Sequence, residues 1–216
     1  MARTTTYTQF LALPPESVWA VLGNPGRWSE WNPAVVSAVL DGPVVAGTGG
    51  RYVPRGRTLS AMHRRLAKPF VLTSVDPGRA VTLRQPEPAG SMRVRWTLTP
   101  EGAGTVVTQR LTFTGPSAPV TRAVVGSLVE SDGRVMFARL ARAAGLEPAV
   151  DATTVLIAGG SGALGRHLAA DLVCRGQRVR VLTRRRDPAL PFDQSGPTRA
   201  KPVARKRLRC RSACRR

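Results

Sequence analysis

The sequence predicts an α+β chain: a strand, two short helices, a run of antiparallel strands and one long helix, followed by a single βαβ unit and a basic end. Three observations predict it. Strand-like alternation recurs between Gly/Pro turns from Thr4 to Thr114. At Ala118 the apolar period changes from two to that of a helix. At Thr153 an apolar strand runs straight into a glycine-rich turn and a new helix.

Each element has its own signal. Thr4 to Leu13 sets Thr6, Thr8, Phe10 and Ala12 against Tyr7, Gln9, Leu11 and Leu13, and Pro14-Pro15 stops it. Pro15 and Glu16 suit the first turn of a helix, because Pro lacks only an amide hydrogen that is orphaned there and an acid complements the dipole. Val18, Trp19, Val21 and Leu22 give that helix its apolar face. Asn24-Pro25-Gly26 ends it, and Arg27 to Pro33 reads as a second short helix or turn. Strands are predicted over Val35–Leu40, Thr48–Val53, Phe70–Val75, Ala80–Arg84, Ser91–Thr99 and Thr105–Thr114, with an ambiguous stretch from Arg57 to Leu66. The last two form a hairpin across Pro100–Gly104. Met92, Val94, Trp96 and Leu98 share one face of the first, and Val107, Gln109, Leu111 and Phe113 one face of the second. From Ala118 to Gly145 the stripe Val120, Val124, Leu128, Val129, Met136, Leu140 predicts a long helix, with a bend invited at Ser131-Asp132-Gly133.

Composition bounds the class. An apolar share of 42% is ordinary for a globular chain of 216 residues. The net charge of +20 is unevenly placed: residues 1–147 carry +8, 148–194 carry +3, and 195–216 carry +9 with no acid. The high charge therefore describes an end more than a folded surface. Cys174, Cys210 and Cys214 are the only cysteines, too few for a disulfide framework or a closed zinc site, so no metal is expected. The N-terminus has no long apolar core of a signal peptide, and no stretch approaches the ~20 apolar residues of a membrane span. A cytoplasmic protein is expected.

The first 146 residues resemble the START-like superfamily, also called SRPBCC, with its polyketide cyclase/dehydrase-type members. The resemblance rests on Pro15-Glu16-Ser17-Val18-Trp19, on Arg27-Trp28-Ser29-Glu30-Trp31-Asn32-Pro33, on Asp41-Gly42-Pro43 and on Gly47-Thr48. It implies a helix-grip fold, in which a curved antiparallel sheet wraps the long C-terminal helix and encloses an apolar cavity. The cavity would take a small hydrophobic molecule, lipid or polyketide-like. Its candidate wall is Trp28, Trp31, Phe70, Leu72, Trp96, Leu98, Leu128 and Met136. For the tryptophans and the helix stripe, simple core packing is the competing explanation. A slip of one residue in strand phase would exchange every strand wall residue for its neighbour. Some relatives cyclise or dehydrate, but no acid/base pair stands out here. His63, the one histidine of this part, lies beside Arg64 and Arg65.

After a linker over 148–152 comes a segment of residues 153–194, whose first 31 residues, 153–183, read as strand, glycine-rich turn, helix and strand. Gly159, Gly160, Ser161, Gly162, Ala163, Leu164 and Gly165 stand directly between strand and helix, the context a dinucleotide fingerprint requires. The glycines permit a tight turn, a close backbone approach to a diphosphate, and close packing of helix on strand. The helix N-terminus then offers amides to the phosphates. The segment resembles the first part of a Rossmann domain of the extended or atypical short-chain dehydrogenase/reductase group, near the NAD-dependent epimerase/dehydratases. Thr183, Arg184 and Arg185 stand where an NAD binder places an acid, so NADP is the expected cofactor; a solvated basic loop is the alternative. The reductase chemistry does not follow: Tyr7 and Tyr52 are the only tyrosines and both lie far upstream, so no Tyr-x-x-x-Lys pair exists. Lone βαβ units cannot bury both sheet faces, and fewer than ~40 residues rarely fold unaided. The unit is expected to lean on the first domain or to stay partly disordered.

Residues 195–216 have no apolar period and no aromatic residue for base stacking, so no specific nucleic-acid binding is expected. Their Arg, Pro, Ala, Cys and Ser content matches off-frame reading of GC-rich DNA, which points to a frameshift near Gln194; a genuine basic arm is the alternative. Two functions follow: a hydrophobic-ligand binder, or an NADP-dependent epimerase or reductase carrying a ligand-binding domain.

Overall fold

The structure, a computed structural model, describes residues 2–55, 68–87, 89–183, 186–187 and 190–195; at 120, 121 and 124–132 it describes the backbone alone. The ambiguous stretch Arg57–Leu66, His63, Arg184, Arg185, the side chain of Leu128 and residues 196–216 lie outside the described residues.

Strand β1 (Arg3–Leu11) leads through Pro14 into α1 (Pro15–Leu22). A 3-10 turn (Pro25–Arg27) and the one-turn α2 (Trp28–Trp31) follow. Then come β2 (Val35–Leu40), β3 (Gly49–Pro54), β4 (Lys68–Asp76), β5 (Ala80–Glu87), β6 (Gly90–Glu101), β7 (Gly104–Thr114) and the long α3 (Ala118–Ala143). The strands form one antiparallel sheet in the order β1-β7-β6-β5-β4-β3-β2. Most neighbours in sequence are neighbours in space, as hairpins require; only β1 crosses to the far edge, beside β7. α3 lies against the inner face at β1 and β7, with α1 and α2 at its flank. This is the architecture of a helix grip.

Alternation decides which face is inner. On β6 and β7 the residues Met92, Val94, Trp96, Leu98, Val107, Gln109, Leu111 and Phe113 are buried, and the residues between them are wetter. The strand phase read from the sequence therefore holds. The strands run longer than their apolar cores: β5 continues from Arg84 to Glu87 through Pro86, and β4 begins at Lys68. α3 is one continuous helix, so Ser131-Asp132-Gly133 does not break it. Gly133 faces the Tyr7 ring, where a Cβ would make ordinary contact at 3.4 Å.

The C-terminal segment forms β8 (Thr154–Ala158), α4 (Ala163–Cys174), β9 (Arg178–Leu182) and β10 (Asp193–Ser195), a parallel sheet in the order β10-β9-β8. β10 carries no apolar signal and was not expected. It is held by the Thr183 amide donating to the Ser195 carbonyl (3.0 Å), and it moves the edge of the folded segment to Ser195. α4 begins inside the glycine-rich turn, at Ala163, with Gly162 as its N-cap.

This unit leans on the grip. Ala169, Ala170, Val173 and Cys174 of α4 are buried in the same core as Leu11, Phe137 and Leu140. The Ala12 amide donates to the Cys174 carbonyl (2.8 Å). Gln9 Nε2 donates to Asp171 Oδ1 (2.9 Å), and Arg175 Nε donates to Asp171 Oδ2 (3.0 Å). Burial pushes the Asp171 carboxyl up, but the two hydrogen bonds outweigh it and hold it below the usual range. Burial, first of all, pushes the Cys174 thiol well above its ordinary value, so it remains a neutral core side chain.

Candidate functional site

The inner face of the grip is aromatic. Trp28 lies 5.3 Å from Phe70 and 5.7 Å from Trp96, centroid to centroid, and Trp31 meets Trp96 edge-on at 6.1 Å. Trp28 is fixed by Nε1–H donating to the Leu22 carbonyl (2.9 Å), which ties α2 to the end of α1. Gly50, opposite Phe70 across β3 and β4, has no room for a side chain: a Cβ would stand 2.7 Å from the Phe70 ring. Arg27 anchors α2 from outside, with two bonds to Glu30 (2.9 and 2.7 Å) and one to the Ala143 carbonyl at the end of α3 (3.1 Å).

Six of the expected wall residues, Trp28, Trp31, Phe70, Leu72, Trp96 and Leu98, are buried in this one core, as is Met136 of α3. Their contacts with one another are those of a packed aromatic core.

The polar groups among them distinguish the site from plain core. Tyr7, Gln109 and Trp96 stand directly opposite one another across β1, β7 and β6. Among the described residues, Tyr7 Oη, Gln109 Oε1, Trp96 Nε1 and Trp31 Nε1 are all buried with no hydrogen-bond partner, as is Thr5 Oγ1 two residues before Tyr7 on the same face. Native proteins satisfy nearly all buried polar atoms, and each orphan costs about 1–3 kcal/mol. Four orphans on the inner face of the sheet, with a fifth on α2 at Trp31 beside Trp96, are thus a marked departure. The Tyr7 ring is stacked on Phe137 of α3 at 5.5 Å, which sets its height above the sheet. Burial raises the Tyr7 phenol above its ordinary value, partly opposed by Arg134, so it is a protonated donor at neutral pH.

Toward the β3–β5 side the polar groups are satisfied. Tyr52 Oη donates to Gln85 Oε1 (2.8 Å), Gln85 Nε2 donates to Glu87, and Lys68 lies 3.6 Å from Glu87. Burial pushes the Tyr52 phenol up to about 12, the bond to Gln85 opposing it, so Tyr52 is no base at neutral pH. Among the described residues no three His, Cys, Asp or Glu side chains converge as a metal site.

The inward Gln109, standing among Val107, Leu111 and Phe113, is the signal that strand alternation offers for this row. A polar residue in a buried phase is its mark. An open cleft of about 590 Å³, lined by Glu30, Arg139, Arg142, Ala143, Pro191, Phe192 and Asp193, lies between the end of α3 and β10, away from the aromatic row. It depends on the docked C-terminal unit and has no signal in the sequence.

The second expected site is only partly described. Gly159 has φ +71°, which favours glycine. A Cβ on Gly165 would stand 2.4 Å from the Gly159 carbonyl oxygen, and one on Gly160 2.5 Å from Val181. Ser161, Gly162, Ala163 and Leu164 are exposed at the start of α4, and Thr183 is buried at the end of β9. Leu156 and Leu182 stand exposed on the sheet's other face.

The geometry defines a helix-grip domain with an aromatic inner face and a row of unsatisfied polar atoms. The chain belongs to the family described as polyketide cyclase/dehydrase and lipid transport, whose pattern matches residues 2–145. No curated protein sequence matches it significantly. Among solved structures it is similar to the di-domain aromatase/cyclase BexL of the BE-7585A biosynthetic pathway (TM-score 0.54, 18% identity, 68% of this chain and 51% of that one). It is also similar to the Zhui aromatase/cyclase from Streptomyces sp. R1128 (0.52, 17%, 67% and 94%) and to Ara h 8.0201 (0.52, 12%, 67% and 98%). These likenesses establish the fold. The family match ends at residue 145, just after α3, and so does not reach the βαβ unit. No described helix is long and apolar enough to cross a membrane.

Proposed function

We propose that the grip binds a small, largely apolar molecule bearing oxygen, lipid or polyketide-like, between the sheet and α3. The observation that carries this reading is the row of orphaned polar atoms. Trp31, Trp96 and Tyr7 offer donors, and Gln109 an acceptor, within aromatic walls. A mostly apolar site with a few converging polar groups is the usual form of a small-molecule pocket. A carbonyl oxygen would accept from the indoles, and a hydroxyl would donate to Gln109. Membership of the family supports the same class of ligand, and BexL and Zhui are named as aromatase/cyclases. Among the described side chains no acid/base pair faces the row, so binding, with or without a cyclisation or dehydration step, is the function proposed.

The test displaces an apolar fluorescent dye from the full chain with a hydroxylated polycyclic ketone or with a saturated fatty acid. The ketone is expected to compete better, and Gln109→Leu to weaken it by about tenfold, the loss of one buried hydrogen bond. Equal competition by both, unchanged in Gln109→Leu, would leave the polar row without a role.

A second reading concerns Gly159–Gly165. We infer that the first-turn amides of α4 could hold a diphosphate, with Thr183, Arg184 and Arg185 toward the 2′-phosphate of NADP. The glycine geometry and the parallel β10-β9-β8 order support it. The chemistry NADP supplies when bound is hydride transfer. These residues suit a diphosphate, but no described element stands beyond β8 for the nicotinamide half, and no step is assigned to it. NADPH fluorescence enhancement by the full chain, lost in Gly162→Asp, is the check.

A further inference from the structure

The outer face of the large sheet carries a block of four arginines. Arg84 on β5 stands directly opposite Arg93 on β6, and Arg95 on β6 directly opposite Arg110 on β7. Arg93 and Arg95 are two residues apart and so share that face. All four are exposed. Neighbouring positions are about 5 Å apart across the strands and about 7 Å along them, inside one Debye length of roughly 8–10 Å at moderate salt. The charges therefore repel one another with little screening, and like charges directly opposite on a sheet destabilise it.

Nothing nearby offsets them. None of the four forms an ion pair among the described residues; the pairs found there include those of Arg27, Lys68, Arg142 and Arg175. Their outward neighbours in the ladder are Val71, Thr82, Thr112 and Thr6. The outward carboxylates Asp76 and Glu101 sit at strand ends. Residues 56–67 and 196–216 contain no acid at all. A solvated sheet face ordinarily mixes signs; here two arginine pairs are set in a field of threonines.

We propose that this block is a docking surface for an acidic helix of a partner protein. Carboxylates at positions i and i+4 of a helix are about 5–6 Å apart, which matches the spacing of the arginines. Each guanidinium can hold a carboxylate through two parallel bonds. The block is compact and ends in neutral residues, Val71 and Thr82 on one side and Thr112 and Thr6 on the other. A nucleic-acid backbone needs a basic track that continues along it, with stacking platforms for single strands, and this face has neither. The surface lies on the opposite side of the sheet from the aromatic row, so a partner and a ligand can be bound together.

The experiment uses the full chain and its Arg93→Thr/Arg95→Thr variant, threonine being already the commonest residue of this face. Binding of a fluorescent helical peptide with glutamates in i,i+4 rows is followed by anisotropy at about 50 and 200 mM salt, the range over which phosphate and carboxylate contacts weaken steeply. The same peptide with glutamine, and a duplex DNA of equal charge, are measured beside it. The proposal expects the glutamate peptide to bind, salt to weaken it, and the variant to lose about tenfold or more. It expects the glutamine peptide not to bind, and the variant to melt no lower than the parent. Unchanged peptide affinity in the variant would overturn it, since the binding would then come from another basic region. DNA affinity falling in the variant, with no binding of the peptide, would overturn it in favour of a nucleic-acid surface.

Discussion

The two sheets solve the same burial problem in opposite ways. The seven-stranded antiparallel sheet buries one face under α1, α2 and α3 and leaves the other to arginines and threonines. Its strands alternate accordingly, and it forms a complete core. In the three-stranded parallel sheet only β8 reads as apolar on both faces, and α4 covers one of them; Leu156 is 58% and Leu182 41% exposed. Parallel sheets are normally covered on both faces. The small unit makes up part of that deficit by joining the grip's core through Ala169, Ala170, Val173 and Cys174. The first region is self-sufficient; the second is structured by what it leans on.

The largest effect expected to break this contrast is in the grip. Trp96→Ala should lower unfolding free energy by about 3–5 kcal/mol, the range for deleting a large buried aromatic. Leu156→Thr, on the bare parallel face, should change it by no more than about 0.5 kcal/mol. Chemical denaturation of both variants tests the comparison, and similar losses would refute it.

The next effect sharpens the docking. Ala170 is fully buried where α4 joins the core, so Ala170→Leu overpacks it, by about 1–3 kcal/mol. With Cys210 and Cys214 replaced by serine, thiol labelling reads Cys174 alone. Labelling should be slow in the parent, because the thiol is buried and neutral, and faster in Ala170→Leu.

A smaller effect is carried by Asp171. Its folded pKa lies below the ordinary value, so the stability it adds is full above the unfolded value near 4 and is lost as the pH falls through the lowered folded value. Gln9→Ala should therefore cost about 1 kcal/mol at neutral pH. Parent and variant should converge in acid. A gap that persists unchanged in acid would show that the carboxylate is not the partner that matters. Tyr52→Phe, which removes one bond to Gln85, should cost about 1 kcal/mol or less.

Legibility in the sequence follows the same division. Strand phase was readable wherever one face is wet: Met92, Val94, Trp96 and Leu98 fall on the inner side as alternation demands. Turn chemistry marked most element ends, as Pro14, Gly145 and Gly176 did; the last two adopt positive φ. β10 was not readable, because Asp193-Gln194-Ser195 has no apolar pattern and forms only by pairing with β9. The length of β5 was hidden by Pro86, which sits near the strand's end. Inside the grip, the buried aromatic cluster was legible as large apolar residues in phase. The row Tyr7–Gln109–Trp96 was not, because it exists only in the register of β1 on β7 and β7 on β6. The arginine block was invisible for the same reason: Arg84 and Arg110 are far from Arg93 and Arg95 in sequence or on other strands.

The central claim is that the orphaned polar atoms of the grip receive a ligand. The most direct measurement follows the indole Nε1–H resonances of the four tryptophans while a hydroxylated polycyclic ketone is titrated into the full chain. The account predicts that Trp31 and Trp96 shift together and saturate, while Trp28, already bonded to the Leu22 carbonyl, stays in place. Saturable binding of the ketone with Trp31 and Trp96 unmoved would contradict it.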